Sequence, residues 1–328
     1  MTKKNVDIKK LLLDNGIIIV LMLLVLITGF TKDNFFSFNN LSNISVNTAA
    51  RVIIAFGVSG CLITKGTDLS AGRQVGLASC IAGTLLQNMD YSGKFFPNLG
   101  DMPVLGVLLI CILVCAIFGL INGIVISYLN VPAFIGTLGM QLMVYGICLV
   151  YTNATPLGGY RKAYTIIATG KLAGIPYMFI IAFVIGLIMW FVYNYTRHGK
   201  YMYAIGGNEA AAEVSGVNVK KTKIIIYVTA AALYAIAGFL LGAKAGGASV
   251  NMGQGYELEA IAACTIGGVS VNGGIGRISG VVIGVLVFEL LKSSMQFLGI
   301  QTNYQYIVQG IVIIVAIALD IRKYIAKK

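Results

Sequence analysis

The sequence predicts an all-α, polytopic membrane protein with about ten transmembrane helices and both termini on the cytoplasmic side. Three observations predict it. Hydrophobic residues make up 58% of the 328 residues and charged residues only 11%, where soluble domains carry about 25% charge; the mean hydropathy is +0.86. Apolar runs recur at lengths that suit helices crossing a bilayer and that are far too long for barrel strands. Finally, the basic residues are unevenly divided between alternate connections. With the N-terminus inside, Lys3, Lys4, Lys9, Lys10, Lys65, Arg73, Arg277, Arg322, Lys323, Lys327, Lys328 and the flanks of one long central stretch all fall on the cytoplasmic side, twice the number left for the other face, which includes Lys32, Arg51 and Lys94. The positive-inside rule selects that orientation.

Taken in order, residues 1–14 are polar and basic. The first span is 17–30; it lacks a small-residue cleavage site, so no cleavable signal peptide is expected. A polar linker over 31–47 carries Phe35, Phe36 and Phe38 as an interfacial aromatic anchor. Spans two to five are read at 48–64, 72–88, 104–129 and 133–151, with a tight turn at Asn130-Val131-Pro132. A long, Gly-rich loop over 152–174 precedes the sixth span, 176–194. The seventh to tenth spans are 224–242, 257–271, 277–298 and 304–319; the eighth is short and opens on Glu257 and Glu259. The whole reads as one transmembrane domain over 1–328. The net charge of +12 does not imply nucleic acid, because Lys and Arg are dispersed between apolar runs. All six cysteines fall inside apolar runs and His198 is the only histidine, so neither a metal nor a cofactor is expected.

The central polar stretch, 195–223, reads YTRHGKYMYAIGGNEAAAEVSGVNVKKTK. Gly206-Gly207 breaks the chain, Asn208 is a good N-cap, Glu209 suits the positive end of a helix dipole, alanines follow, and Gly216 is a natural stop. That spells about two turns of helix between basic flanks, too short to stand alone in water and set on the cytoplasmic side. Connections usually run about 4–6 residues, so this one is either a docking element for a cytoplasmic partner or an unusually long solvated loop.

A second charged stretch, KGTDLSAGRQVGLAS over 65–79, joins two spans. Asp68 and Arg73 at membrane depth would face a cavity or a partner, and Gly72-x-x-x-Gly76 permits close approach. It is either a broken helix lining a solute route or a turn in which Asp68 caps the next helix. Glu259 either offsets a helix dipole or meets solute hydroxyls, and Glu289 and Lys292, three apart, could pair. Asn122, Gln141, Tyr145 and Asn153 are candidate solute contacts, although Asn and Gln in spans also bond between helices. No phosphate loop occurs, since in GCLITKGT the lysine precedes the glycine. Nor is there HExxH, GxSxG or an intramembrane acid pair, so the chain is expected neither to hydrolyse ATP nor to act as an enzyme.

Three stretches, GTDLSAGRQVGLA from Gly66, AIGGNEAAAEVSGVNV from Ala204 and YELEAIAACTIGGVSVNGG from Tyr256, together resemble the permease subunits of the ribose/galactose class of sugar ABC importers. The resemblance covers nearly the whole chain in order. Thr67, Ala71, Arg73 and Gln74 follow the galactoside branch of that family rather than the ribose-type GIDLSVG. The resemblance implies a subunit of the cytoplasmic membrane that pairs with a second copy of itself, receives galactose or methyl galactoside from an extracytoplasmic sugar-binding protein, and couples to an ATP-binding cassette subunit. Carried over residue by residue, the coupling segment lies within 196–223 at Gly206, Gly207, Asn208, Glu209, Ala211, Ser215 and Gly216. Asp68, Ser70 and Gly72 match the first motif. Asp68, Ser70, Asn122, Gln141, Tyr145 and Glu259 are the candidates for the translocation path. The loop at 156–171 departs from the galactoside pattern, which leaves binding-protein docking and sugar identity open. The alternatives are the same importer class for ribose or another monosaccharide, an ion-coupled secondary transporter, and a membrane-embedded enzyme.

Overall fold

The computed structural model describes residues 8–325; Lys3, Lys4, Lys327 and Lys328 lie outside the described residues. The chain is mostly helical. Helix α1 (Ile8–Thr31) is followed by α2 (Phe38–Ile63), α3 (Ala71–Leu85), α4 (Val104–Ser127), α5 (Ala133–Thr152) and a short α6 (Lys162–Thr169). A two-stranded antiparallel hairpin, β1 (Lys171–Leu172) and β2 (Ile175–Pro176), leads into α7 (Tyr177–Tyr195). Then come α8 (Arg197–Gly207), α9 (Glu209–Val214), α10 (Val219–Ala245), α11 (Tyr256–Ile266), α12 (Ile278–Phe297) and α13 (Thr302–Ile325).

Seven of these helices, α2, α4, α5, α7, α10, α12 and α13, are long and apolar enough to cross a bilayer among the described residues. Each of the other three expected spans has a helix; α1 is 24 residues long, while α3 and α11 are short. At 1.5 Å per residue, α3 and α11 reach only about 22 Å and about 16 Å, short of a hydrocarbon core of about 30 Å. Irregular segments, 64–70 and 246–255, precede them.

The core is built around α2 and α10. Helix α10 packs against α4, α3 and α2, while α11 and α12 close on α2, and α13 on α11. From Thr48 to Ile63 nearly every side chain of α2 is buried. The outer helices are two-faced. On α4, Leu105, Leu109, Leu113 and Ile117 lie exposed at four-residue spacing while Cys111, Cys115 and Asn122 are buried; an apolar outward face is what lipid requires.

Several boundaries differ from the sequence reading. Helix α2 starts ten residues before 48, because Ser37 caps it by accepting from the Asn40 amide at 3.3 Å. Arg51 therefore lies in mid-helix rather than near an outer loop. Of the aromatic anchor, Phe36 and Phe38 are exposed but Phe35 is buried edge-on against Phe297. The loop at 152–174 holds α6 and half the hairpin, tied to the 86–103 connection through the Gln87–Tyr160 bridge.

Candidate functional site

Four groups of polar residues stand out. The first surrounds the start of α3. Asp68, Ser70, Gln74 and Asn122 are all buried. Ser70 donates through its amide (3.0 Å) and hydroxyl (2.6 Å) to Asp68 Oδ1, and its own oxygen accepts from Gln74 Nε2 (2.9 Å) and Asn122 Nδ2 (3.1 Å). The irregular backbone before it is tied as well: Thr137 Oγ1 accepts from the Leu69 amide at 3.1 Å, and Tyr227 donates to the Thr67 carbonyl at 3.3 Å. Unpaired backbone in a low-dielectric interior is costly, and these side chains supply the partners the missing helical turns would have provided. Asp68 thus bonds locally, but it does not cap α3 in the ordinary manner, since Ser70 occupies the cap position.

The second group lies between α3, α5 and α11. The Arg73 guanidinium carbon stands 4.2 Å from the Tyr145 ring centroid, and Arg73 Nη1 donates to the Val250 carbonyl at 3.3 Å. Gln141 Nε2 donates to Glu257 Oε1 at 3.5 Å. The 246–255 segment descends onto α3 here. A Cβ on Gly72 would strike the Glu257 carboxylate and the Gly253 carbonyl, and one on Gly253 would strike the Gly72 carbonyl. The small-residue spacing expected to bring two helices together instead seats an irregular strand of backbone.

The third group is ionic. Arg51 pairs with Glu259 (3.2 Å) and Glu289 (3.0 Å), and Lys292 pairs with Glu259 (2.6 Å). Arg51 also stacks 5.1 Å over Tyr256, and Lys244 bonds Asn47 nearby. Glu289 and Lys292 do not pair with each other; each turns to a different helix. All four charges are at least four-fifths buried, so their geometry matters more than that of exposed pairs.

The fourth group is the polar foot formed by α8 and α9. The short helix expected after the Gly-Gly break is α9, capped as expected by Asn208, whose Oδ1 accepts from the Ala211 amide at 3.1 Å; what the sequence reading lacked is α8, the helix before the break, which Gly206 and Gly207 end. Glu209 pairs with Lys223 at 2.7 Å, Ser215 donates to the Ala211 carbonyl at 2.7 Å, and Gly216 ends the element at φ +86°. Ile205, Ala212, Val217 and Val219 form a small apolar cluster beneath. Gly207, Asn208, Glu209, Ala211, Ser215 and Gly216 face outward, and Val214 is 91% exposed. Gly206 is the point of attachment: a Cβ there would strike the Ile63 carbonyl at the end of α2 and the Gly274 amide. Gly274 donates to that same Ile63 carbonyl at 2.8 Å, and Tyr203 to the Gly276 carbonyl at 2.9 Å. A cavity of about 230 Å³ separates Glu209 and Lys223 from the 64–66 and 130–133 turns. Burial holds the His198 imidazole, on the other side of the foot, below its ordinary pKa.

Of the sequence candidates, the structure brings Asp68, Ser70 and Asn122 together, and separately Gln141 and Tyr145. It places Glu259 in the ionic group. Asn153 ends α5 in a left-handed turn at φ +50°. Arg51 and Gln74 were missed as members of their clusters; an arginine inside an apolar run was the available signal for the first.

Seven membrane-length helices, two short buried helices with irregular lead-ins, and a polar foot at one end are the parts of a membrane transport component. The chain belongs to the family described as branched-chain amino acid transport system / permease component, which matches residues 40–317, and is an integral membrane protein. It is 45% identical to the galactose/methyl galactoside import permease protein MglC of Escherichia coli (strain K12), over 96% of each chain. It is 42% identical to the protein of that name from Haemophilus influenzae, over 97% of each. With the ribose import permease protein RbsC of Escherichia coli (strain K12) it shares 34% identity over 96% of each. No solved structure matches it.

Proposed function

We propose that this chain is the transmembrane subunit of a binding-protein-dependent ABC importer that carries galactose or methyl galactoside across the cytoplasmic membrane. The observation that carries this reading is the 45% identity over 96% of both chains to a permease named for that cargo. The family description names amino acids, but the relatives aligned over nearly the full length are sugar permeases. Ribose is the second reading, supported by the lower 34% identity. The chain works as a homodimer with about ten spans, N-in and C-in, and ATP hydrolysis belongs to a separate ATP-binding subunit docked on the foot.

Closure of that subunit's nucleotide sites pushes α9. The push enters the bundle through Gly206, which touches both the end of α2 and the 272–276 turn before α12. The Asp68–Ser70–Asn122 network keeps the lead-in to α3 rigid while α2 and α12 shift. Gln141, Tyr145 and Glu259 border the route. The test is uptake of labelled galactose in a strain lacking its own galactoside permease and supplied with this chain, its ATPase and its binding protein. ATP-dependent galactose uptake, with ribose a poor competitor, is expected. Preferential ribose uptake would establish the second reading. Uptake that persists without the ATPase and collapses with a protonophore would overturn the class.

A further inference from the structure

Gln141, Tyr145, Arg73 and Glu257 come from three helices and meet in one polar cluster, Arg73 over the Tyr145 ring and Gln141 on Glu257. Their surroundings argue against ordinary packing. Glu257 is only 5% exposed, and its Oε2 has no hydrogen-bond partner among the described residues. Glu259, two residues on, has two cations; Glu257 forms no ion pair among the described residues. A lone carboxylate at this depth is costly, and such groups mark solute pathways. The fold nonetheless makes room for it, since Gly72 leaves the space its Oε2 occupies.

The polar groups are also confined. Gln141 and Tyr145 are partly buried on one flank of α5, while Leu142, Met143, Ile147 and Val150 line the neighbouring apolar hollow. One flank therefore suits water or solute and the other suits lipid or protein.

We propose that this polar cluster is where the permease itself reads the hydroxyls of a neutral monosaccharide in transit. The inference rests on the sugar-import reading above. Glu257 accepts from adjacent hydroxyls, Gln141 both donates and accepts, and Arg73 donates in a fixed fork. The Tyr145 ring offers an apolar face to the C–H side of the sugar. In the present state Arg73 rests on Tyr145 and on the Val250 carbonyl, so its remaining N–H groups are available without breaking an ion pair.

The test uses the whole importer in proteoliposomes: permease, ATPase and loaded binding protein, with galactose outside. Gln141→Leu and Glu257→Gln should each lower galactose moved per ATP hydrolysed by about tenfold, the effect of losing one hydrogen bond to a charged group. Stimulation of the ATPase by loaded binding protein should stay within about twofold, because the foot and its attachment are untouched. Tyr145→Phe should retain transport and Tyr145→Ala should not. Wild-type transport in the Gln141 and Glu257 variants, or joint loss of transport and ATPase stimulation, overturns the inference while leaving sugar import standing. A wild-type complex that moves no monosaccharide overturns both. A second measurement does not depend on turnover. The six native cysteines are all buried, so Gln141→Cys can be probed with a charged thiol reagent. Labelling faster than at Leu142→Cys supports a solute-accessible cluster; equal or slower labelling overturns it.

Discussion

Arg51 shows how much one misplaced boundary costs in interpretation. In the sequence it follows a linker-like run in which Asn39, Asn40, Asn43 and Asn47 dilute the apolar signal, so it reads as an outer-face charge. In the fold those asparagines lie on the first turns of α2, and Arg51 joins two carboxylates from α11 and α12. Arg51→Ala should destabilise the detergent-solubilised protein by about 3–5 kcal/mol, since it strands buried charge; thermal unfolding checks it. Glu209→Ala at the foot, where Glu209 is 48% exposed, should cost at most about 1 kcal/mol. Adjacent glycines make a sharper contrast. Gly206→Ala drives a methyl into the Ile63 carbonyl and should reduce yield and melting temperature together. Gly207 has nothing within 4 Å, so Gly207→Ala should leave stability unchanged. Gly207→Trp and Ala211→Trp should abolish sugar uptake with membrane insertion intact, because each places a large ring on the exposed face proposed to dock the ATP-binding subunit. Burial at Gly206 was not legible in the sequence, which treats the two glycines alike; long-range contact with the end of α2 separates them.

At the scale of elements, the foot was readable because its signals are local. Asn208, Glu209 and Gly216 act on neighbours a few residues away, and the cap bond to Ala211 forms as expected. Asn208→Ala should weaken α9 by about 1 kcal/mol. The expected readout is faster amide exchange across α9 and lower uptake, with α10 unaffected. The short helices α3 and α11 were less legible. Residues 64–70 and 246–255 were recognised as polar or glycine-rich, but nothing in their composition says that they descend between helices. That placement depends on partners far away in the chain: Thr137, Tyr227 and the Asn122–Ser70 contact for the first, and Gly72 for the second. The candidate solute residues divide the same way. Asn122 and Ser70 proved to be partners of each other, while Gln141 and Tyr145 stand in a cluster whose other half, Arg73 and Glu257, comes from remote segments.

For the whole molecule, the class was legible from run length and charge because a bilayer leaves few options for an apolar chain. The orientation can be checked directly. Val214→Cys should react with a membrane-impermeant thiol reagent in inside-out vesicles and not in intact cells; the reverse pattern would put the foot on the outer face and remove the docking reading. The meeting of Gly72 and Gly253 carries a different consequence. Each of these two positions is closed to a side chain by the other's carbonyl oxygen, so no single substitution at either can be absorbed by its counterpart. A methyl group at either glycine must displace backbone rather than a flexible side chain, so the crossing leaves room for change only in the side chains that border it.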